Sequence, residues 1–266
     1  MKIGFIGAGN MARAIIAGWL DKKVVAANNI FIHSAHIDRY EPYAKKNGLI
    51  ACSSNIEVVE HSDIVFLAVK PIILGKVLAE IKATVQMKKP LLVSMAASTS
   101  LTDIENEITD SSLEIIRIMP NVNVEIGAGM TAIVGNKNVS EKNLTICERL
   151  FASEGKVALI EEKDFSIFSA IAGSSPAFVY FFIDAMARAG VKYGLKKQQA
   201  TKIAAQTVLG SAQKVLLSDK TPFEMIDEVC SPGGTTIAGL LAMEEAGFMN
   251  AVVKGIDATV AKDQGK

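Results

Sequence analysis

The chain has 266 residues, a length that predicts two domains of ordinary size. Its 28 basic and 28 acidic side chains cancel, whereas nucleic-acid-binding proteins usually carry a surplus of Lys and Arg. Half of the residues are hydrophobic, which excludes a disordered protein and allows a sizeable core. The three cysteines and three histidines show neither a disulfide framework nor metal-ligand spacing. The N-terminal residues lack the long apolar stretch of a signal peptide. We therefore expect a cytoplasmic protein that binds no nucleic acid and no metal.

The first 160 residues alternate between short apolar runs and helical patterns. The apolar runs have the length and composition of buried strands; they cover residues 2–7, 30–33, 64–69, 91–95 and 115–118. The helical patterns between them cover residues 11–20, 39–46, 72–84 and 101–108. A strand at 130–134, a helix at 141–152 capped by Ser140 and a strand at 156–160 would complete the sheet. This order predicts βαβ units in an open, doubly wound α/β sheet.

A G-x-G-x-x-A sequence at residues 7–12 follows the first predicted strand and opens the first predicted helix. Gly7 permits a tight turn, Gly9 lets the backbone approach a pyrophosphate, and Ala12 allows close packing of helix and strand. The N-terminus of the helix then faces the phosphate charge. The motif predicts dinucleotide binding, and the alternative is a tight strand-to-helix turn without a ligand.

The end of the second predicted strand indicates which cofactor binds. An NAD site usually places Asp or Glu about twenty residues beyond the glycines, but residues 27–37 contain no acidic side chain. A hydroxyl and imidazole or cationic groups stand there instead, at His33, Ser34, His36 and Arg39. These groups suit a 2′-phosphate, so the sequence favours NADPH over NADH. A shifted boundary would bring Asp38 to the ribose, and both histidines are equally compatible with a surface loop.

Three further strand ends carry residues compatible with a ligand, because ligands bind at the carboxyl edge of such sheets. Lys70 and Pro71 follow one strand, and Pro71 suits the first turn of a helix. Residues 94–97 are small apart from one methionine and would let a flat ring lie close. Residues 117–121 read Arg-Ile-Met-Pro-Asn. Each of these segments taken alone is as compatible with a structural role as with a functional one.

The pattern after Glu161 is entirely helical. We expect helices over 164–191 with a break near Pro176, then over 198–217, 224–228, 236–246 and 251–261. Asp164 would cap the first of them, and Gly194 would stop it. Six aromatic residues lie between 165 and 182 in a stretch without charge, near the length of a membrane span. Because a helix that is apolar nearly all round must be covered, we expect a second subunit there and no membrane.

Residues 231–240 read Ser-Pro-Gly-Gly-Thr-Thr-Ile-Ala-Gly-Leu. A Pro-Gly-Gly loop that leads into a helix offers free backbone N–H groups, hydroxyls and the helix dipole to an anion. This arrangement suits a bound carboxylate. In the alternative interpretation, Thr235 and Thr236 serve only as helix caps.

These residues together resemble the pyrroline-5-carboxylate reductase family, the last enzyme of proline synthesis, over essentially the whole chain. The resemblance lies in FIGAGNMARAII at 5–16, HSDIVFLAVKP at 61–71, RIMPN at 117–121, DAMARAGVKYGL at 184–195 and CSPGGTTIAGL at 230–240. It implies a Rossmann-type dinucleotide-binding domain at residues 1–162 and a helical dimerisation and substrate domain at 163–266. It also implies an interlocked homodimer, with a ring of dimers as a larger assembly.

The resemblance also implies the functional residues. Its cofactor site comprises Ile6, Gly7, Ala8, Gly9, Asn10, Met11, Ser34, Asn55, Val69, Lys70 and Ala96. Its substrate site comprises Ser231, Gly233, Gly234, Thr235, Thr236 and Asp219, with Thr236 as the catalytic residue. NADPH is the expected cofactor and NADH the alternative.

The implied reaction is hydride transfer from the nicotinamide to the imine carbon of 1-pyrroline-5-carboxylate, which gives L-proline. The backbone of residues 233–236 would hold the carboxylate, and the Thr236 hydroxyl would orient the ring nitrogen while solvent supplies the proton. One alternative is another NADP-dependent imine or hydroxyacid reductase. Hydroxyacid dehydrogenases use a catalytic Lys on an interdomain helix, and residues 171–187 contain none. The other alternative is a non-catalytic dinucleotide-binding protein.

Overall fold

A computed structural model describes residues 1–265, which divide into two compact units. The first unit comprises Met1–Gly173 together with the C-terminal residues from Asp263 on, and the second comprises Ser174–Lys262. The first contains a sheet covered by helices, and the second is built from helices. An α/β fold followed by a helical region is therefore confirmed.

The sheet of the first unit has eight strands among the described residues. They are β1 (Ile3–Ile6), β2 (Ile30–His33), β3 (Ile50–Ala51), β4 (Ile64–Leu67), β5 (Leu91–Ser94), β6 (Ile115–Pro120), β7 (Gly129–Gly135) and β8 (Gly155–Leu159). Their order across the sheet is β3-β2-β1-β4-β5-β6-β7-β8. All neighbours are parallel except β6 and β7, so the sheet is mixed.

Helices connect these strands and then make up the second unit. In the first unit they are α1 (Asn10–Asp21), α2 (Ile37–Asn47), α3 (Asn55–His61), α4 (Pro71–Lys88), α5 (Leu101–Ile108), α6 (Glu141–Ala152) and α7 (Phe165–Phe168). A π-helix, Ser169–Ser174, follows α7. The remaining helices are α8 (Ser175–Lys192), α9 (Lys197–Leu216), α10 (Pro222–Val229), α11 (Thr235–Glu245) and α12 (Phe248–Asp263).

Every strand and helix predicted from the sequence is present, with ends that coincide or shift by at most four residues. The pattern missed β3 and α3 because the strand has only two residues and the helix only seven. The antiparallel direction of β7 was also not anticipated. A short 3₁₀ helix, Val122–Ile126, separates β6 from β7, too little chain for the crossover that a parallel neighbour needs.

The core lies on both faces of the sheet because successive strand residues point to opposite sides. On one face Phe5, Phe66, Trp19 and Phe151 pack together, and the rings of Phe5 and Phe66 stack with centroids 4.8 Å apart. The buried Trp19 indole donates to the carbonyl of Leu150 at 3.0 Å, which joins α1 to α6. On the other face Ile6, Val65 and Leu67 pack against α3, α4 and α5.

The π-helix at Ser169–Ser174 marks the transition to the helical region. Pro176 has no N–H to donate to Ala172 O, the carbonyl four residues before it. The buried Asn121 side chain compensates, since its Nδ2 donates to Ala172 O at 3.0 Å. The Asn121 Oδ1 accepts from the backbone N–H groups of Asn123 and Met130. The predicted break near Pro176 is therefore a π-helical segment without a chain reversal.

One predicted helix cap is wrong, whereas one predicted helix stop and one other predicted cap are confirmed. Asp164 precedes α7, but its side chain forms no cap hydrogen bond, because Asp164 already belongs to a 3₁₀ turn, Glu162–Asp164. The helix stop at Gly194 occurs as predicted, and this glycine has a positive φ angle. Ser140 caps α6 as expected, accepting from the Asn143 N–H.

The second unit packs through small residues. Ala187 of α8 and Ala200 and Ala204 of α9 are buried, and an added Cβ on Gly190 would lie 3.0 Å from the Cβ of Ala200. Asp184 of α8 forms an ion pair with Lys197 of α9, which links the two helices, and a second with Arg188 one turn further along α8. The Lys197 and Arg188 hydrogen bonds keep the pKa of the Asp184 carboxyl below its usual range, so the pairs persist in mildly acidic solution.

Candidate functional site

The glycine loop connects β1 to α1 at the carboxyl edge of the sheet. Gly7 has φ +103°, and an added Cβ would overlap the carbonyl of Ala68. The Gly7 N–H donates to the His33 carbonyl at 2.8 Å, which ties the loop to the end of β2. Gly9 precedes α1 in extended conformation, and an added Cβ there would meet nothing within 4 Å. Gly7 is thus required by the turn, whereas Gly9 leaves its outer side open for a ligand.

The N-terminus of α1 fits a diphosphate. Its first turn, formed by the exposed Asn10 and the half-buried Met11, contains no acidic side chain that would oppose phosphate charge. Ile6, Ala8 and Ala12 are buried beneath the loop. One residue that the motif did not include also shapes the loop. Arg13 donates from Nε to the Ala8 carbonyl at 2.9 Å and from Nη2 to the Arg39 carbonyl at 3.1 Å.

The end of β2 places Ser34 next to a hydrogen-bonded row of side chains. Ser34 is half-buried, while His36 and Arg39 are exposed at the start of α2. The His33 Nδ1 lies 2.7 Å from the Asn55 Oδ1, and the Asn55 Nδ2 donates to the Glu80 Oε2 at 2.9 Å. The row therefore joins β2, α3 and α4, and it occupies both ends of the Asn55 amide.

Two acidic side chains lie near the end of β2, but neither occupies the position of an NAD-type acid at the strand end. Asp38 lies exposed in the first turn of α2, beyond the strand end at which an NAD-type acid would stand. Hydrogen bonds from the Ser53 hydroxyl and N–H keep the pKa of the Glu57 carboxyl below its usual range, so this charge is held at the start of α3. The strand end itself thus presents a hydroxyl and imidazoles, a set compatible with a 2′-phosphate.

The ends of β4 and β5 lie on the opposite side of β1 from β2. Val69 is half-buried and packs close to Gly7, and the exposed Lys70 precedes α4 with Pro71 as the first helical residue. Ala96 is buried, and its N–H donates to the Ser94 Oγ at 3.3 Å. The first unit thus brings the predicted cofactor residues to one edge of the sheet.

The loop between α10 and α11 carries the predicted substrate residues. Gly233 has φ +69°, and the Gly234 N–H donates to the Ser231 carbonyl at 2.9 Å, which forms a tight turn. Gly234 is the N-cap of α11, and no side chain caps this helix. Thr235 and Thr236 are the first two helical residues, and both are exposed. The interpretation of these threonines as helix caps is therefore wrong.

A cavity of 380 Å³ within the second unit includes Thr236. Side chains of α9, α10 and α11 line it, among them Lys214, Met225 and Cys230. Asp219 lies exposed in the loop between α9 and α10 and is not among these lining residues. The structure thus places five of the six predicted substrate residues at the start of α11 and in the turn before it, and Asp219 in the loop before α10.

Comparison with known proteins identifies the family. A sequence model described as pyrroline-5-carboxylate reductase dimerisation matches residues 162–266, and one described as NADP oxidoreductase, coenzyme F420-dependent, matches residues 2–98. The pyrroline-5-carboxylate reductase of Escherichia coli is 38% identical over 263 residues, covering 99% of this chain and 97% of the relative. The chain belongs to the pyrroline-5-carboxylate reductase family.

Solved structures of this family have the same fold. The enzyme of Streptococcus pyogenes superposes with a TM-score of 0.89 at 39% identity, covering 100% of this chain and 99% of that one. The Plasmodium falciparum enzyme, solved with NADP bound, also gives a TM-score of 0.89, at 32% identity with coverage of 100% and 97%. The Rossmann-type α/β fold and the helical dimerisation domain predicted from the sequence are thus confirmed.

The family's dimerisation domain supports a homodimer and explains an apolar helical run in the single chain. The run Glu162–Lys192 is long and apolar enough to cross a membrane. Only 11% of its most apolar stretch is buried within the single chain, so most of this apolar surface is exposed. The dimerisation match covers the whole run. A second subunit of this family accounts for that exposed surface.

Proposed function

We propose that this protein reduces 1-pyrroline-5-carboxylate to L-proline with NADPH, in the cytoplasm. The match to pyrroline-5-carboxylate reductases over 99% of the chain carries the proposal. Two local features support it: a glycine loop built for a diphosphate, and a Ser-Pro-Gly-Gly-Thr-Thr turn whose hydroxyls are not used as caps. The hydroxyl and imidazole groups that follow β2 favour NADPH over NADH as the cofactor.

Each part of the proposed site has a separate task. The N-terminus of α1 and residues 6–11 hold the diphosphate, and Ser34 faces the 2′-phosphate. Bound NADPH supplies the hydride. The backbone N–H groups at the start of α11 hold the substrate carboxylate, and the Thr236 hydroxyl orients the ring nitrogen. Threonine is a poor acid, so we assign Thr236 to orientation and the proton to solvent.

We further propose that residues 1–162 form the dinucleotide-binding domain and residues 163–266 the dimerisation and substrate domain. The dimerisation match, which begins at residue 162, supports this boundary. We extend the homodimer to a ring of dimers, which light scattering of the purified protein would test by mass.

Turnover of pyrroline-5-carboxylate by three proteins tests the proposed function: the wild type, Thr236→Ala and Thr236→Ser. The Thr236→Ala variant should lose about thirty- to a hundredfold in turnover, because a hydrogen bond to a group that changes charge contributes roughly 2–3 kcal/mol. Its melting temperature should stay near that of the wild type, since Thr236 forms no cap bond. Oxidation of NADPH followed by absorbance measures the rate.

Thr236→Ser is the matched control because it keeps the hydroxyl and should keep most of the activity. Affinity for NADPH should survive both changes, since the diphosphate lies at the glycine loop. A folded wild type that leaves pyrroline-5-carboxylate unreduced with either nicotinamide cofactor would overturn the proposed activity. Full turnover by Thr236→Ala would remove only the role of Thr236.

A further inference from the structure

Arg117 is a buried charged residue that the proposed site does not use. It lies on β6, in the otherwise apolar sequence Ile-Ile-Arg-Ile-Met-Pro, and is 7% exposed. Its Nη1 donates to the Glu162 Oε1 at 3.0 Å, and its guanidinium carbon lies 4.5 Å from the centre of the Phe165 ring. Its Nε has no hydrogen-bond partner among the described residues.

Stability alone is a poor explanation for this arrangement. Burial of a guanidinium costs free energy that an ion pair roughly offsets, so buried ion pairs often contribute little net stability. The unpartnered Nε adds to the cost. Replacement by apolar residues of similar volume is often neutral or stabilising at such positions. Because the burial of Arg117 is costly, we infer that this residue positions other groups in the protein.

The partner of Arg117 holds one end of the loop between β5 and α5. The same Glu162 oxygen that accepts from Arg117 also accepts from the Leu101 N–H at 2.7 Å. Leu101 is the first residue of α5, so Glu162 fixes the point at which the loop over residues 95–100 ends.

The other end of this loop is held next to Arg117 in the sheet. Ser94, the last residue of β5, is fully buried and lies opposite Arg117 in the parallel register. Its Oγ accepts from the Ala96 N–H at 3.3 Å. Both ends of the loop are thus anchored to residues that pair with or contact Arg117.

The strand order indicates which half of a dinucleotide this loop serves. The end of β1 carries the diphosphate loop, and the end of β2 on one side carries Ser34 for the adenosine ribose. β4 and β5 lie on the other side of β1. A dinucleotide that crosses the edge with its diphosphate at β1 therefore places its nicotinamide toward the ends of β4 and β5.

We propose that Arg117 and Glu162 are positioning residues that hold the loop over residues 95–100 in place for the nicotinamide half of the cofactor. Arg117 orients the Glu162 carboxylate, and Glu162 fixes the loop through the Leu101 N–H. The inference rests on the proposed function, because that function places the cofactor at this edge. Removal of the carboxylate should misplace the nicotinamide and leave the adenosine half bound as before.

A comparison of Glu162→Ala with Glu161→Ala tests this proposal. Glu161 is the adjacent residue; its side chain is 73% exposed and forms an ion pair with the exposed Lys163, so its replacement should change nothing. Glu162→Ala should lower kcat by roughly ten- to a hundredfold, because small misplacements of reacting groups have effects of that size. The affinity for 2′,5′-ADP, which contains only the adenosine half, should stay within about twofold of the wild type. NADPH should bind more weakly, so the ratio of its affinity to that of 2′,5′-ADP should fall.

A conservative variant and a second position keep the test decisive. Glu162→Gln keeps an acceptor oxygen for Leu101 and should recover most of kcat. If Glu162→Ala does not fold, Arg117→Lys gives the same comparison, since it keeps the charge but loses the planar fork and the stacking on Phe165. Unchanged kcat and unchanged ligand affinities in the folded variants would overturn the proposal. Equal weakening of NADPH and 2′,5′-ADP with a lowered melting temperature would also overturn it and leave a structural role.

The two proposals fail in different ways. If the wild type does not reduce pyrroline-5-carboxylate, the proposed function fails, and the binding ratio of NADPH to 2′,5′-ADP still reports on the loop. If the wild type, Glu161→Ala and Glu162→Ala all reduce pyrroline-5-carboxylate with the same kcat, only the positioning role fails.

Discussion

At Asn55, the side-chain amide is already fully engaged within the protein. Its oxygen faces the His33 Nδ1 and its nitrogen donates to Glu80, and the residue is 8% exposed. An amide that donates to a carboxylate at one end presents its oxygen at the other, so the His33 Nδ1 carries the proton. We therefore propose that Asn55 contributes to the cofactor site through the orientation of His33, beside Ser34.

Ser34→Asp should weaken NADPH binding by about 1–3 kcal/mol, because a carboxylate at this half-buried position would repel the 2′-phosphate. NADH lacks that phosphate, so its affinity should hold or improve and serves as the internal control. Fluorescence titration of both cofactors measures the change. A wild type that binds NADH as tightly as NADPH would contradict the assignment of Ser34.

The glycine turn between β1 and α1 could be predicted because the motif and its strand–turn–helix context are local in sequence. The Arg117–Glu162 pair could not, since the two residues are 45 positions apart and nothing local joins them. The sequence indicated only that Arg117 is a charged residue within the otherwise apolar β6. Asp219 was predicted through a resemblance; it lies in the loop between α9 and α10, and its role in substrate binding stays a prediction.

Among the helices, α1 packs closely on the segment after α6, where one of its residues is a glycine. An added Cβ on Gly18 would overlap the carboxylate of Glu154, which is 1% exposed. Glu154 is held by the Ser153 hydroxyl at 3.1 Å and has Lys22 at 3.9 Å. The carboxylate therefore has little room to move away from α1.

Gly18→Ala should lower the free energy of unfolding by about 1–3 kcal/mol, the usual cost of overpacking. Gly75→Ala is the matched control, since Gly75 is exposed within α4 and an added Cβ would meet nothing within 4 Å. That change should stabilise the protein by about 0.5–1 kcal/mol through helix propensity. Urea unfolding of both variants measures the difference. Equal stability of the two would show that Glu154 moves away freely.

The elements that sequence patterns missed had weak hydrophobic periodicity but some local chemistry. Ser54 is the N-cap of α3, and its side chain accepts from the Glu57 N–H; this Ser-x-x-Glu spacing is the sequence signature of a helix start. β3 has two exposed residues and pairs only with β2, so nothing in its composition distinguishes it from a loop. The direction of β7 depended on the length of its connection rather than on its residues.

At the scale of the whole molecule, the second unit is incomplete as a single chain. In the described chain, α11 and α12 have no buried residue, and large apolar side chains of several helices are exposed. They include Tyr180, Phe181, Leu209, Leu241, Met249 and Val253. Hydrophobic surface on this scale marks an interface, and the dimerisation match over residues 162–266 coincides with it.

Phe181→Glu should prevent dimerisation and abolish activity. Phe181 is 77% exposed in the single chain, whereas Phe182 packs against Phe248 with ring centroids 5.7 Å apart, so only Phe181 can be changed without disturbing its own subunit. A carboxylate buried without a partner at the interface costs roughly 3–5 kcal/mol, which weakens association by at least about a hundredfold.

Met87→Glu is the matched control, because Met87 is 79% exposed but lies on α4, outside the dimerisation match. Sedimentation at micromolar concentration should show a dimer or larger assembly for the wild type and Met87→Glu, and a monomer or aggregate for Phe181→Glu. A well-folded wild-type monomer would contradict the dimer, and an active dimeric Phe181→Glu would place the interface elsewhere on the helical unit.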